Sequence, residues 1–274
     1  MFAEFDTIKL RHQRGVLFAT ISAPPINLLG PDLVSDLVSL IERAEADENV
    51  QVIVFSSADP DYFIAHVDVT RIGENREPTI RLVGEPSLGL LFRRLAVSRL
   101  VTIAQIEGRV RGAGSEFALA CDMRFAARET AIFGQFELAF GAIPGAGALQ
   151  HLTRLLGRGR ALEVMLSAGD YDAELAERYG WINRAVHTAE LGGFVEDLAV
   201  RIAATPAAGR AVAKERVNAI GLAPIDDFQR DSGLFYEAVQ KPEAQDRLKA
   251  ALGLGFQTRD GELDLPDLLA RLPG

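Results

Sequence analysis

Two glutamates stand where carboxylates are uncommon. Glu116 lies in Gly112-Ala113-Gly114-Ser115-Glu116-Phe117-Ala118-Leu119-Ala120-Cys121, followed directly by apolar residues. Glu137 ends Ala131-Ile132-Phe133-Gly134-Gln135-Phe136-Glu137, ahead of the Gly-rich run Gly141-Ala142-Ile143-Pro144-Gly145-Ala146-Gly147. A carboxylate flanked by core residues either has a structural partner or has a raised pKa and a chemical task. Two of them facing across a cleft, one protonated and one ionised, form a general acid and a general base. Either glutamate alone is more commonly a salt-bridged or solvated residue; the pair is what suggests catalysis.

Positioning such a pair calls for close backbone approach. Gly112, Ala113 and Gly114 are small enough to admit a ligand against the main chain, and glycine tolerates the φ of a tight entry turn. A short apolar helix starting there aims unpaired N–H groups and a positive dipole end at whatever lies in front. Upstream, Phe5 to Leu10 and Val16 to Ile21 read as strands, Gly30-Pro31-Asp32 as a helix start, and Val50 to Phe55 and Leu100 to Ile106 as buried strands. Met123 to Ala126 and Ala131 to Phe133 are short strands, and Trp181 to Val186 gives a last one. Strand, strand, helix thus recurs without sequence repetition. That order predicts an α/β fold of stacked ββα turns and not a doubly wound sheet. From about residue 189 only helical patterns follow, dividing the chain into a 1–188 core and a 189–274 helical region. Asp260 to Gly274, acidic and Pro-punctuated, is expected to be a loosely held tail.

The run from Ala104 to Asp122 resembles the signature of the enoyl-CoA hydratase/isomerase (crotonase) family. So does Phe133-Gly134-Gln135-Phe136-Glu137 leading into Gly145-Ala146-Gly147. The likeness extends to Pro24-Pro25-Ile26-Asn27, to Phe63-Ile64-Ala65-His66-Val67-Asp68 and to Gly180-Trp181-Ile182-Asn183-Arg184-Ala185-Val186. It implies a crotonase-like ββα superhelix acting on an acyl-CoA, with coenzyme A entering as part of the substrate and no separate cofactor. By position, the N–H groups of Ala65 and Ala113 would form the oxyanion hole. Glu116 and Glu137 would hold a water between them, and Gly145 would help to place it. The turn residues Ile64, His66, Val67 and Asp68 would contact substrate. The residues alone leave open which acid delivers the proton; family logic gives that role to Glu137 and water activation to Glu116. The C-terminal helices would cover the site and build a homotrimer or a dimer of trimers. Retention of both acids favours hydration over double-bond migration. An isomerase, a C–C hydrolase or a binding subunit without turnover are the alternatives.

Three positions depart from the family pattern. His66 replaces glycine, and its ring is expected to face solvent rather than to reach the thioester. Phe136 replaces proline and either reorients Glu137, narrows the acyl pocket or fills core. The C-terminal segment carries only Lys249 and Arg259 where a basic cluster for CoA phosphates is common.

Composition narrows the rest. The 274 residues carry a net charge of −9 without a basic cluster interleaved with aromatics, which argues against nucleic acid. Cys121 is the single cysteine, and no run approaches the ~20 apolar residues of a membrane span. The N-terminus from Met1 to Asp6 lacks a leader pattern, so a soluble cytoplasmic protein is expected. Gly145-Ala146-Gly147 is not a dinucleotide fingerprint, Ser115 lacks a nucleophile elbow, and His66 with Asp68 is too few ligands for a metal. His12, His151 and His187 read as surface residues, and Cys121 as inert core.

Overall fold

A computed structural model describes residues 5–273. Met1 to Glu4, part of the segment behind the leader expectation, lie outside the described residues. The strands are β1 (Ile8–Gln13), β2 (Val16–Ile21), β3 (Val52–Ser57), β4 (Tyr62–Ile64), β5 (Val101–Ile106), β6 (Arg109–Arg111), β7 (Met123–Ala127), β8 (Ile132–Gly134), β9 (Asp170–Asp172) and β10 (Arg184–Val186). They form two sheets, one ordered β1-β2-β3-β5-β7-β10 and the other β4-β6-β8-β9. Each consecutive pair β3/β4, β5/β6 and β7/β8 places one strand in each sheet, which is the stacked ββα arrangement.

Within the six-stranded sheet β2, β3, β5, β7 and β10 run parallel. Parallel strands are covered on both faces, and they therefore read as unbroken apolar runs such as Val52-Ile53-Val54-Phe55, all essentially inaccessible. One face packs against the amphipathic helix α1 (Pro31–Ala46), whose Leu33, Leu37, Leu40, Ile41 and Ala44 keep helical spacing. Helices α2 (Arg76–Val83), α3 (Leu88–Ala96), α4 (Gly112–Ala120), α5 (Ala148–Leu156), α6 (Arg158–Ser167) and α7 (Ala173–Tyr179) complete the core region. Pro78 sits in the first turn of α2, where a missing N–H costs nothing.

The helices from residue 188 onward are α8 (Thr188–Ala203), α9 (Ala207–Gly221), α10 (Ile225–Val239), α11 (Pro242–Gly253) and α12 (Leu265–Ala270). Leu191, Val195 and Ala199 of α8 cover the outer face of the six-stranded sheet against Val52, Val54 and Ile103. Helix α10 lies against α3, and α11 against the short helical turn Glu137–Phe140.

The C-terminal tail corrects the expectation. It is not loosely held: Glu262 is 0% exposed, and Leu265, Leu268 and Leu269 are buried with Phe136, Phe140 and Phe256. The three leucines have i, i+3, i+4 spacing, and Asp264 caps α12 by accepting the Asp267 N–H at 3.4 Å. Pro266 falls in the first helical turn, so the apparent breaker is a helix start.

Candidate active site

Strands β4, β6 and β8 are adjacent and parallel in the smaller sheet, and all three open at their carboxyl ends onto one cavity. From β4 comes the turn 65–68, from β6 the start of α4, and from β8 the segment that ends in Glu137. Two glycines make this convergence possible. A Cβ on Gly114 would sit 2.2 Å from the Ile64 carbonyl oxygen, so α4 can press onto the end of β4 only with glycine there. Gly112 adopts φ +47°, and a Cβ on it would lie 3.2 Å from Glu137 Oε1 and 3.3 Å from His66 Cβ.

Glu116 lies four residues after Gly112, on the same face of α4. It is 2% exposed, and its Oε1 accepts the N–H groups of Ala146 at 2.7 Å and Ala148 at 3.0 Å. These amides belong to the Gly-rich loop that opens α5, so that loop fixes the first acid. Burial pushes the Glu116 carboxyl up to about 7; the Ala148 and Ala146 amides oppose the rise, and the charge of Asp231 adds to it. Glu137 is 9% exposed, with Gln135 Nε2 donating at 3.2 Å to both of its oxygens. Burial, followed by repulsion from Glu116, raises Glu137 to about 8. Both acids therefore face one another electrostatically, and neither has a cationic partner among the described residues.

Both acids line a cavity of about 140 Å³ together with Val67, Ala113 and Gly145. Its remaining walls are mostly apolar, formed by Val69, Ile72, Leu88, Phe136 and Phe140, and by Phe235, Tyr236 and Val239 of α10 with Leu248 of α11, while Asn75, Ser232 and Gln245 add polar groups. Phe136 lines the cavity and at the same time fills core, packing edge-on against Phe140 and Phe256. The resemblance implied that C-terminal helices cover the site, but no residue of the α10 and α11 wall was named, although Phe235 and Val239, four positions apart, share a helix face.

The turn does not offer the Ala65 N–H to the cavity. Ala65 is 0% exposed, does not line the cavity, and already donates its N–H to the Ile26 carbonyl at 3.3 Å. Val67 lines the cavity, and neither its N–H nor that of His66 has an acceptor among the described residues. Its neighbours form the parallel bridge to Leu29, through Leu29 N–H to His66 O at 2.8 Å and Asp68 N–H to Leu29 O at 3.2 Å. That pattern leaves the Val67 N–H without an acceptor among the described residues. Ala113, as expected, lines the cavity and is the second residue of α4, where an N–H has no intrahelical acceptor.

Other expected contacts also change. Ile64 is wholly buried behind the turn, and the Asp68 carboxylate is occupied by Thr70 N–H at 3.0 Å, Thr70 Oγ1 at 2.6 Å and Gln257 Nε2 at 3.0 Å. Neither lines the cavity. His66 borders it but does not face solvent: the ring is 0% exposed, stacked on Phe256 with centroids 4.5 Å apart. Aromatic packing and acceptors at both nitrogens hold it inward. His151, read as a surface residue, is half-buried: it packs edge-on against Phe228, and desolvation pushes it down to about 3.

The family model described as enoyl-CoA hydratase/isomerase matches residues 11–252. The chain belongs to the enoyl-CoA hydratase/isomerase family. A short-chain-enoyl-CoA hydratase of Clostridium acetobutylicum is 29% identical over 250 residues, 90% of this chain and 95% of that protein. Among solved structures, a Streptomyces avermitilis protein described as a candidate enoyl-CoA hydratase is 50% identical, with TM-score 0.97 and complete coverage of both chains. Pseudomonas aeruginosa DspI is 28% identical with TM-score 0.72, covering 88% of this chain and 98% of that one. The fold of this family member is therefore the crotonase fold. Among the described residues, no helix is long and apolar enough to cross a membrane.

Proposed function

We propose that this protein hydrates enoyl-CoA thioesters, adding water across the α,β double bond. The observation that carries the reading is one largely apolar cavity bounded by two buried acids without cationic partners among the described residues and by the Val67 and Ala113 amides, which have no acceptor among them. The thioester carbonyl oxygen is received by the N–H groups of Val67 and Ala113. Negative charge develops on that oxygen during addition, and each fixed donor stabilises it by ~3–4 kcal/mol without reorganising.

The two acids divide the proton work through their surroundings. Two backbone amides favour the ionised form of Glu116, whereas Glu137 is held by one neutral carboxamide and repelled by Glu116. The proton of the pair therefore resides on Glu137. Glu116 takes a proton from water as the water oxygen bonds to the β-carbon. The double-bond electrons move onto the thioester as an enolate, and Glu137 delivers its proton to the α-carbon. Afterwards Glu116 carries a proton and Glu137 is ionised, and one proton transfer restores the starting pair. Gly145, whose N–H has no acceptor among the described residues, helps to place the water. Coenzyme A remains attached throughout, so the reaction needs no separate cofactor.

Self-association is part of the same reading. Helix α9 buries none of its residues and exposes Val212, Val217 and Ile220, which supports a homotrimer or a dimer of trimers. Sedimentation would measure that state. For the activity, short, medium and long enoyl-CoA thioesters are screened by loss of conjugated double-bond absorbance. Hydration that disappears in both Glu116→Gln and Glu137→Gln supports the proposal. Tight CoA binding without turnover of any thioester would replace it with a binding role.

A further inference from the structure

The segment following residue 252, beyond the family match, crosses directly behind the turn that carries Val67. Its contacts with that turn are specific. Phe256 stacks on the His66 ring. Gln257 Oε1 accepts the Val69 N–H at 2.8 Å, while its Nε2 donates to Asp68 Oδ1 at 3.0 Å. His66 itself is bracketed by oxygens: Nδ1 lies 2.7 Å from the Val67 carbonyl, and Nε2 lies 2.8 Å from Glu262 Oε1. Glu262 Oε1 also accepts the Gln257 N–H at 3.0 Å.

The same residue reaches the other donor. Arg111 is the N-cap of α4, two positions before Ala113, and its side chain is 1% exposed. Its Nη1 donates to the Glu262 carbonyl at 2.8 Å and lies 3.7 Å from Glu262 Oε2. The rest of the guanidinium grips Asp170 through bonds of 2.8 and 2.5 Å. Glu262 thus connects the residue before Val67 with the residue that starts the Ala113 helix.

We propose that residues 256–262 form a positioning strap for the oxyanion hole, with Glu262 as the bridge that sets Val67 and Ala113 relative to one another. The proposal rests on the hydratase reading above. Anchoring the C-terminus alone would not require this chemistry, because Phe256, Leu265, Leu268 and Leu269 already bury it in an apolar cluster. Placing a histidine, a carboxylate and a guanidinium out of water carries a desolvation cost that apolar packing avoids. The network lies beside the two donor elements and reaches both. Glu262 does not line the cavity, so its effect on the reaction passes through His66 and Arg111.

The test combines kinetics with a chromophoric ligand, a dimethylaminocinnamoyl-CoA, whose absorbance moves to longer wavelength when its thioester carbonyl is polarised. Glu262→Ala is expected to lower kcat about 100-fold, the order that a ~1 Å misplacement costs, with KM little changed. The bound ligand should lose most of its red shift. Glu262→Gln should recover part of both, because a carboxamide oxygen still accepts from His66 and Gln257. Glu116→Gln should abolish turnover yet keep the red shift, since its defect lies in the acid pair. A full red shift in Glu262→Ala, with or without loss of kcat, overturns the strap. Should Glu262→Ala fail to fold by circular dichroism, Glu262→Gln decides: a partial loss of red shift supports the strap and an unchanged shift overturns it. If the wild-type protein neither shifts the ligand nor hydrates any enoyl-CoA, the hydratase reading itself fails, which is a different result.

Discussion

Replacing Glu116 by Gln should remove activity and yet stabilise the protein, by an amount that depends on pH. The side chain is fully enclosed, and the carboxyl is raised from 4.5 to about 7. At ~1.36 kcal/mol per tenfold change in proton affinity, that rise corresponds to about 3 kcal/mol of stability withheld once the group ionises. Below pH 4.5 both the folded and the unfolded chain hold the proton, and the penalty is absent. Between 4.5 and about 7 the unfolded chain releases its proton first, so stability falls as pH rises. Above the folded-state value the full cost is present. Glutamine keeps a carbonyl oxygen for the Ala146 and Ala148 amides and has no charge to bury. Glu116→Gln should therefore be about 3 kcal/mol more stable than wild type at pH 8 and nearly equal to it at pH 4. Hydration should fall by about 10²–10⁴, the usual worth of a positioned base. Urea unfolding from pH 4 to pH 9, alongside the absorbance assay, reads both effects. A stability difference that stays flat with pH, or a variant less stable at pH 8, would refute the assignment of Glu116 as a buried, charge-penalised acid.

Three further outcomes are expected. The pH profile of kcat/KM should be bell-shaped, rising as Glu116 ionises near 7 and falling as Glu137 loses its proton near 8, with both limbs belonging to the pair; a rate independent of pH from 5 to 9 would contradict the division of roles. Ala113→Pro removes one oxyanion donor at a first-turn helix position where proline is tolerated, so the fold should persist while kcat drops about 10²–10³. An unaltered kcat there would exclude this amide from the chemistry. Gly114→Ala drives a Cβ to 2.2 Å from the Ile64 carbonyl oxygen, a backbone atom that cannot swing aside, and should cost about 3 kcal/mol or more in chemical denaturation. Wild-type stability in that variant would mean that α4 does not press on β4 as described.

Local pattern and tertiary pairing contributed different parts of this picture. Apolar runs and helical spacing were sufficient for seven of the ten strands and for α1, because covering a sheet or a helix face imposes a period on the residues themselves, whereas the three-residue strands β4, β6 and β9 passed for turns and loop. Glu116 and Glu137 were legible for the same reason, as charges out of keeping with apolar neighbours. The oxyanion donor was not. Whether Ala65 or Val67 has a free N–H depends on how the turn pairs with Ile26 and Leu29, some forty residues upstream. The inward His66 and the docked tail were hidden likewise. A histidine ring takes its direction from acceptors that may lie anywhere in the chain, and here one of them, Glu262, is 196 positions away. Composition and spacing record what each segment must bury; the pairing of distant segments decides which polar groups remain free to act.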